Sequence, residues 1–456
     1  MKLSAPLRIG VVLAAIFVPA LALAQQDEPL RIEITEGVMR PMPVALHVEN
    51  LGDIVAAGPT DTGEAETAPD DLAAGIAAVI TADLQGTGLF EIAAPDPQPE
   101  TVFDRPVDYI GWRETQVEAL VTATVEADDD AISIRFRLFD IFAAQPLGDG
   151  MQFDAPREGW RRAAHKISDQ IYSRITGEDP YFDSRIAFIG ESGPATARIK
   201  RVGVMDYDGY GIKWLTSPDD LVLSPRFSPD GATLLYTSFA SGVPQIMSMD
   251  VATVEATALT RDPNAMSFAP DVSPDGRWIT FSREMSGNTD IWIMPTASPS
   301  FAKQLTRGPS IDTAPSWSPD GQRIVFESDR SGTSQLYVMR ADGTEPMRIS
   351  FGEAGKAYGE PSWSPRGDRI AFTRHGKDGS SIGIMRPDGS DMQMLTEGAH
   401  DAAPDWAPNG RVLIFTRQEQ DDAPPGLLSV DITGRNMQPV APEAAASDSA
   451  WGPLLP

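Results

Sequence analysis

The sequence predicts a small α/β domain followed by a six-bladed all-β propeller, with a C-terminal strand closing the first blade. Three features carry that reading. One tract recurs at near-constant spacing, an orphan strand stands at each end of the repeats, and the stretch ahead of them has helical periodicity.

The tract reads Ser224-Pro-Arg-Phe-Ser-Pro-Asp-Gly231, Ala269-Pro-Asp-Val-Ser-Pro-Asp-Gly276 and Ala314-Pro-Ser-Trp-Ser-Pro-Asp-Gly321. It continues, weakened, as Glu360-Pro-Ser-Trp-Ser-Pro-Arg-Gly367 and Ala403-Pro-Asp-Trp-Ala-Pro-Asn-Gly410, and its closing glycines are 45, 45, 46 and 43 residues apart. After each turn comes an apolar strand such as Arg323-Ile324-Val325-Phe326, then a polar loop and a strand such as Leu336-Tyr337-Val338-Met339. A second turn, Ala341-Asp342-Gly343 for example, leads to a short strand ending in Leu-Thr or a relative, as at Leu259-Thr260 and Ile349-Ser350. Asp-Gly supplies the positive-φ residue of a tight hairpin. Four strands in a unit of about 45 residues make one propeller blade.

The ends of the repeat give the count. Arg185–Ile189 matches the strand that follows the turn, yet no tract precedes it, while Ser449-Ala450-Trp451-Gly452-Pro453 looks like the missing first strand with nothing after it. Pairing the two completes a split blade beside five intact ones, and closure removes the sheet edges that invite aggregation. Trp317, Trp363, Trp406 and Trp451, with Phe227 and Val272, hold one equivalent position. One large apolar residue per blade serves packing between neighbouring blades.

Residues 25–178 carry no repeat. Pro43–Val48 reads as a strand and Pro69–Phe90 as a helix, with Leu72, Ile76, Val79, Ile80 and Leu84 on one face. Val117–Glu126 and Ala131–Asp140 alternate around three aspartates as a hairpin, and Trp160–Ile175 is a second amphipathic helix carrying Ala164, Ile167, Ile171 and Ile175. The propeller is expected over 179–456. Lys2 and Arg8, an uncharged apolar run to Leu23 and the small residues Ala22 and Ala24 predict a secretory signal peptide over 1–24. The run is shorter than a bilayer crossing needs.

Cleavage would remove two cations and no acid, taking the formal net charge from −28 to −30. Such a chain repels phosphate backbones, so nucleic acid is excluded as a partner. The absence of cysteine excludes disulfides and thiolate chemistry, and export without disulfides fits a bacterial periplasm.

Catalysis is not legible. No Gly-x-Ser-x-Gly elbow is present, since Gly190-Glu-Ser-Gly-Pro194 fails the spacing. The four histidines, His47, His165, His375 and His400, never pair at ligand spacing, so no metal site and no cofactor are expected. His165 and His375 read as solvated polar residues. Asp230, Asp275 and Asp320 are explained by turn chemistry, although an acidic channel would attract a loosely held cation. The rival functions are a propeller hydrolase or lactonase with an acidic channel site, and a carbohydrate-binding module acting on peptidoglycan.

Domain order, Ser184-Arg185-Ile186-Ala187-Phe188, Met205-Asp206-Tyr207-Asp208-Gly209-Tyr210 and the final Ala450-Trp451-Gly452-Pro453 together resemble the TolB family, the periplasmic propeller components of the Gram-negative Tol-Pal system. The resemblance covers essentially the whole chain after the leader. It implies a non-enzymatic adaptor, monomeric outside its complexes, that supports outer-membrane integrity and invagination during cell division. It also implies two partners. The Pal lipoprotein would dock on the rim loops that lead into the tracts: Met266, Ser267, Phe268 and Ala269; Asp312, Thr313 and Ala314; Tyr358 and Glu360; His400 and Asp401. Where the family commonly has a polar loop with a histidine, this chain has Met266-Ser267-Phe268. TolA would bind the segment Gln25, Gln26, Asp27, Glu28, Pro29, Leu30, Arg31, Ile32, Glu33, Ile34 and Thr35. Leu30–Thr35 alternates like a half-buried strand and suits addition to a sheet edge. Exposed aromatics at Phe268 and Tyr358 would be anchors of the kind that dominate interfaces.

Overall fold

A computed structural model describes residues 40–51, 71–194, 197–351, 355–377, 379–397, 400–420, 423–440 and 445–456. The expected signal peptide and the 25–35 segment lie outside the described residues.

The front domain is a mixed sheet with helices on both faces. Strand β1 (Met42–Asn50) lies between β2 (Phe90–Ala93) and β3 (Ala119–Ala127), parallel to both. Strand β3 turns back into β4 (Ala131–Asp140), which pairs with both β5 (Gln145–Pro146) and β6 (Met151–Pro156). Helices α1 (Leu72–Gly86) and α3 (Trp160–Thr176) bury Ile76, Val79, Ile80, Leu84, Ile167, Ile171 and Ile175 against one face. The short helix α2 (Tyr109–Glu114) buries Trp112 against Leu120 and Ile141 on the other.

Local chemistry sets the helix ends. The Asp71 carboxylate caps the Ala74 N–H at 3.0 Å, and α3 stops at Gly177, which takes φ 72°. Helix α1 ends at Gly86, short of the predicted Phe90, because Thr87 caps the Leu84 carbonyl and Gly88 turns left-handed at φ 70°. The apolar run continues past that point as β2.

From Ser184 onward the chain is a β-propeller. Strands β7 (Ser184–Ser192), β8 (Ile199–Asp206) and β9 (Lys213–Trp214) form a four-stranded sheet whose first strand is the C-terminal Ala446–Leu454. Three further four-stranded sheets follow, and then an eight-stranded one. The last consists of two repeat units joined only at Ser380 and His400. In each sheet the tract-bearing strand comes first and a short strand last.

The repeat letters now have physical roles. In the unbroken tracts the serine hydroxyl bonds the turn aspartate: Ser228 to Asp230 at 2.5 Å, Ser273 to Asp275 at 2.6 Å and Ser318 to Asp320 at 2.5 Å. These bonds, with the next backbone N–H, hold the carboxyls below their usual range. In five of the six units the Thr or Ser at the end of the short strand accepts a backbone N–H from the strand beside it. Thr216 takes Val202 at 2.9 Å, Thr260 takes Ile246 at 3.0 Å, and Ser350 takes Leu336 at 2.9 Å. Trp317, Trp363, Trp406 and Trp451 are all buried, as a packing role requires.

Candidate functional site

Each tract-bearing strand breaks its register just before the apolar position, and the C-terminal strand breaks again after Trp451. The residue at the break takes a left-handed backbone: Ser224 at φ 50°, Ala269 at 48°, Ala314 at 50°, Glu360 at 49°, Ala403 at 53° and Asp448 at 51°. A non-glycine residue there costs about 1 kcal/mol, so something must hold it. In five of the six places the N–H freed by the bulge is taken by a side chain on the preceding unit's second strand. Ala269 donates to Thr237 at 3.3 Å, Ala314 to Ser282 at 3.0 Å and Glu360 to Glu327 at 3.4 Å. Ala403 donates to Thr373 at 3.2 Å and Asp448 to Thr416 at 3.0 Å, while Ser224 turns instead to Asp448 at 3.2 Å.

A second set of bonds follows two residues on. Asp271 accepts the Trp317 N–H at 2.8 Å, Ser316 that of Trp363 at 3.1 Å, and Asp405 that of Trp451 at 2.7 Å. Burial pushes the Asp271 carboxyl up to about 6, against the pull of Arg226. These links stiffen the leading ends of the strands, where the predicted rim residues lie. The turn face at the other end carries the front domain.

The structure divides the predicted rim residues sharply. Met266 and His400 are exposed, and Phe268, Ala269, Thr313, Ala314 and Glu360 are half-buried. Ser267, Asp312, Tyr358 and Asp401 are buried. Tyr358 packs against Phe372 and offers no exposed ring. Asp312 is paired with Arg330 at 2.8 Å, and Asp401 is gripped by Arg417 through two bonds of 2.7 and 2.9 Å. Glu360 accepts both the Thr373 hydroxyl at 2.7 Å and the Ala403 N–H at 2.8 Å. Several of these residues therefore support the rim rather than face outward from it.

Of what faces outward, only Met266 and His400 were named from the sequence. Leu221, Met266, Met285, Ile311 and Phe351 are exposed by 42, 37, 42, 52 and 70 %. Leu221, Met266, Ile311 and Phe351 lie at the leading ends of four successive units, and Met285 ends the strand paired with that of Met266. A lone apolar residue in an otherwise polar loop, such as Ile311 after Pro309-Ser310, was the available signal.

The turn face is a seam between domains. Asp169 of α3 accepts the N–H groups of Tyr181, Phe182 and Asp183 at 3.0, 2.8 and 3.0 Å, fixing the linker into the propeller. Burial nevertheless pushes its carboxyl up to about 6. Glu178 bridges Arg366 and Arg411, both beside tract turns. Asn436 donates to the Gly86 carbonyl at 2.6 Å.

His165, expected to be solvated, is 2 % exposed here, a correction that only the tertiary structure supplies. Its Nδ1 lies 2.9 Å from Asp83, which also accepts the Tyr207 hydroxyl at 2.6 Å, while Asp208 of the same Asp-Tyr-Asp-Gly-Tyr stretch pairs with Arg161. Burial lowers the imidazole pKa, but the Asp83 and Asp208 carboxylates outweigh it and the net direction is up.

These features define a class: a β-propeller with a fused α/β domain on one face and a stiffened, apolar-studded rim on the other. A family model described as the TolB beta propeller domain matches residues 172–455, and one described as the TolB amino-terminal domain matches 30–147. The chain belongs to the TolB family. It is 48% identical over 248 residues to the Tol-Pal system protein TolB of Roseobacter denitrificans, covering 54% of this chain and 53% of that one. It is 50% identical over 261 residues to that of Cereibacter sphaeroides, covering 57% and 56%. The matched stretch thus spans little more than half of each relative. The crystal structure of TolB from Acinetobacter baumannii superposes with a TM-score of 0.78 at 24% identity, covering 93% of this chain and all of that one, and shows the shared fold. The relatives carry the name of a Tol-Pal system protein.

Proposed function

We propose that the chain is a non-enzymatic periplasmic adaptor of the Tol-Pal system that docks Pal on the propeller rim and TolA through residues 25–35. In this reading residues 1–24 are a leader, 25–178 the front domain and 179–456 a propeller of six blades. The blade count is supported by the first strands of the six units, each of which contacts the next in a cycle that returns from Ala446–Leu454 to Val222–Phe227. A closed ring presents its rim loops in one fixed geometry, where partner-binding loops on rigid scaffolds are found.

The observation that carries the proposal is the row of exposed Leu221, Met266, Met285, Ile311 and Phe351 on a rim whose backbone is tied from unit to unit. Exposed apolar residues on a preorganised scaffold are the usual core of a protein interface. Among the described residues no helix is long and apolar enough to cross a membrane, and the adaptor reading requires none. The test is calorimetric titration of the full chain with purified Pal, repeated with Met266→Asp and Ile311→Asp together. A loss of at least tenfold in affinity with an unchanged melting temperature supports rim docking; unchanged affinity refutes it. Removing residues 25–35 is expected to abolish TolA binding while leaving Pal binding measurable.

A further inference from the structure

We infer that His165, Asp208 and Asp83 form a binding site for a divalent transition-metal ion of the zinc class, placed across the seam between the two domains. Ligand atoms from these three residues lie within 4.8 Å of one another. The independent observation is the second imidazole nitrogen. Nε2 of His165 is buried without a hydrogen-bond partner and lies 3.9 Å from the Asp208 Oδ2. With Nδ1–H donating to the Asp83 carboxylate at 2.9 Å, the neutral imidazole carries its lone pair on Nε2, on the side of Asp208.

A lone pair facing an anion calls for a cation between them. Bonds of about 2.0–2.2 Å to each side span this separation. A carboxylate that orients the far nitrogen of a ligating histidine is the usual outer support of such sites. Asp83 is oriented in turn by the Tyr207 hydroxyl at 2.6 Å. Asp208 also takes Arg161 on Oδ2 and the Tyr210 N–H on Oδ1 at 3.2 Å, so the ion would share Asp208 with Arg161. A cavity of about 320 Å³ lined by Asp83, Tyr207, Asp208, Arg411, Asp431 and Trp451 lies beside the two carboxylates. One imidazole with carboxylates suits zinc and its neighbours rather than calcium or magnesium, which prefer oxygen alone.

The two ligands, His165 and Asp208, come from α3 and the loop after β8, and Asp83, which orients the imidazole, comes from α1. The ion therefore binds the docked arrangement of the domains better than any separated one, and it would fix the face of the propeller opposite the rim.

The test is calorimetry of the full chain with zinc chloride, followed by a crystal soaked in zinc and measured at the zinc absorption edge. One saturable site is expected, with an anomalous peak between His165 Nε2 and Asp208. Asp208→Asn, at an exposed position, is expected to fold normally and weaken zinc at least tenfold; His165→Gln is expected to abolish binding. No saturable zinc binding, equal binding in Asp208→Asn, or a peak elsewhere overturns the proposal and leaves a proton as the only occupant of Nε2.

Discussion

At the face that carries the tract turns, contacts are charged and unrepeated: the buried Asp169 on the linker, the half-buried Glu178 between two arginines, the buried Asp83 between Tyr207 and His165. At the opposite face the same kinds of bond recur between units, and the exposed residues include a row of apolar ones. The difference separates two tasks. A permanent domain contact can bury polar groups, since each finds its partner once, during folding. A surface that must receive and release a partner keeps its ionic groups paired internally, as Asp401 is by Arg417, and exposes groups that need no partner in the free state.

The comparison can be broken most strongly at Asp169. Asp169→Ala leaves three buried N–H groups without an acceptor, and we expect a loss of about 3–4 kcal/mol in urea unfolding. A loss under about 1 kcal/mol would show that the seam is not held there. Since the Asp169 carboxyl is pushed up to about 6, its ionisation opposes folding, and the loss should be smaller at pH 8 than at pH 5.

Asp271 sharpens the other side. Its folded pKa of about 6 lies above the ordinary 3.8, so the stability contributed by its protonated form is complete below about pH 4 and lost as pH rises through 6. Asp271→Asn keeps an acceptor for the Trp317 N–H without a buried charge. We expect it to be about 1–3 kcal/mol more stable than the parent at pH 8, with the gap closing below pH 4. A gap independent of pH would contradict the assignment. The smallest effect is expected at the bulge. Ala314→Gly relieves the φ of 50° and should change the unfolding free energy by under about 1 kcal/mol, in the stabilising direction. Clear destabilisation would mean that the bulge is not strained.

Legibility in the sequence followed repetition. The turns, the Leu-Thr ends and the buried tryptophans were readable because each occurs several times, so chance residues average out. The register break at the residue before each proline left no mark beyond the proline itself. The seam was illegible for the converse reason: Asp83, Asp169, His165 and Asp208 occur once each, and nothing local distinguishes a buried ion pair from a solvated residue. At the rim, location was readable and orientation was not. Of the rim residues that the resemblance implied, Met266 faces solvent, whereas Asp312 pairs with Arg330 and Tyr358 packs on Phe372.

Rim and seam can be opposite faces of one rigid body only if the C-terminal strand seals the ring. The chain contains no cysteine, so a pair introduced at Ala187 and Ala450, which are register partners in the sheet joining β7 to Ala446–Leu454, reports on that pairing alone. Paired strand positions of this kind fall within disulfide reach. Oxidation of the Ala187→Cys/Ala450→Cys protein should give complete intramolecular cross-linking with an unchanged circular dichroism spectrum. A protein that folds but retains two free thiols would contradict the closed ring and the rim geometry built on it.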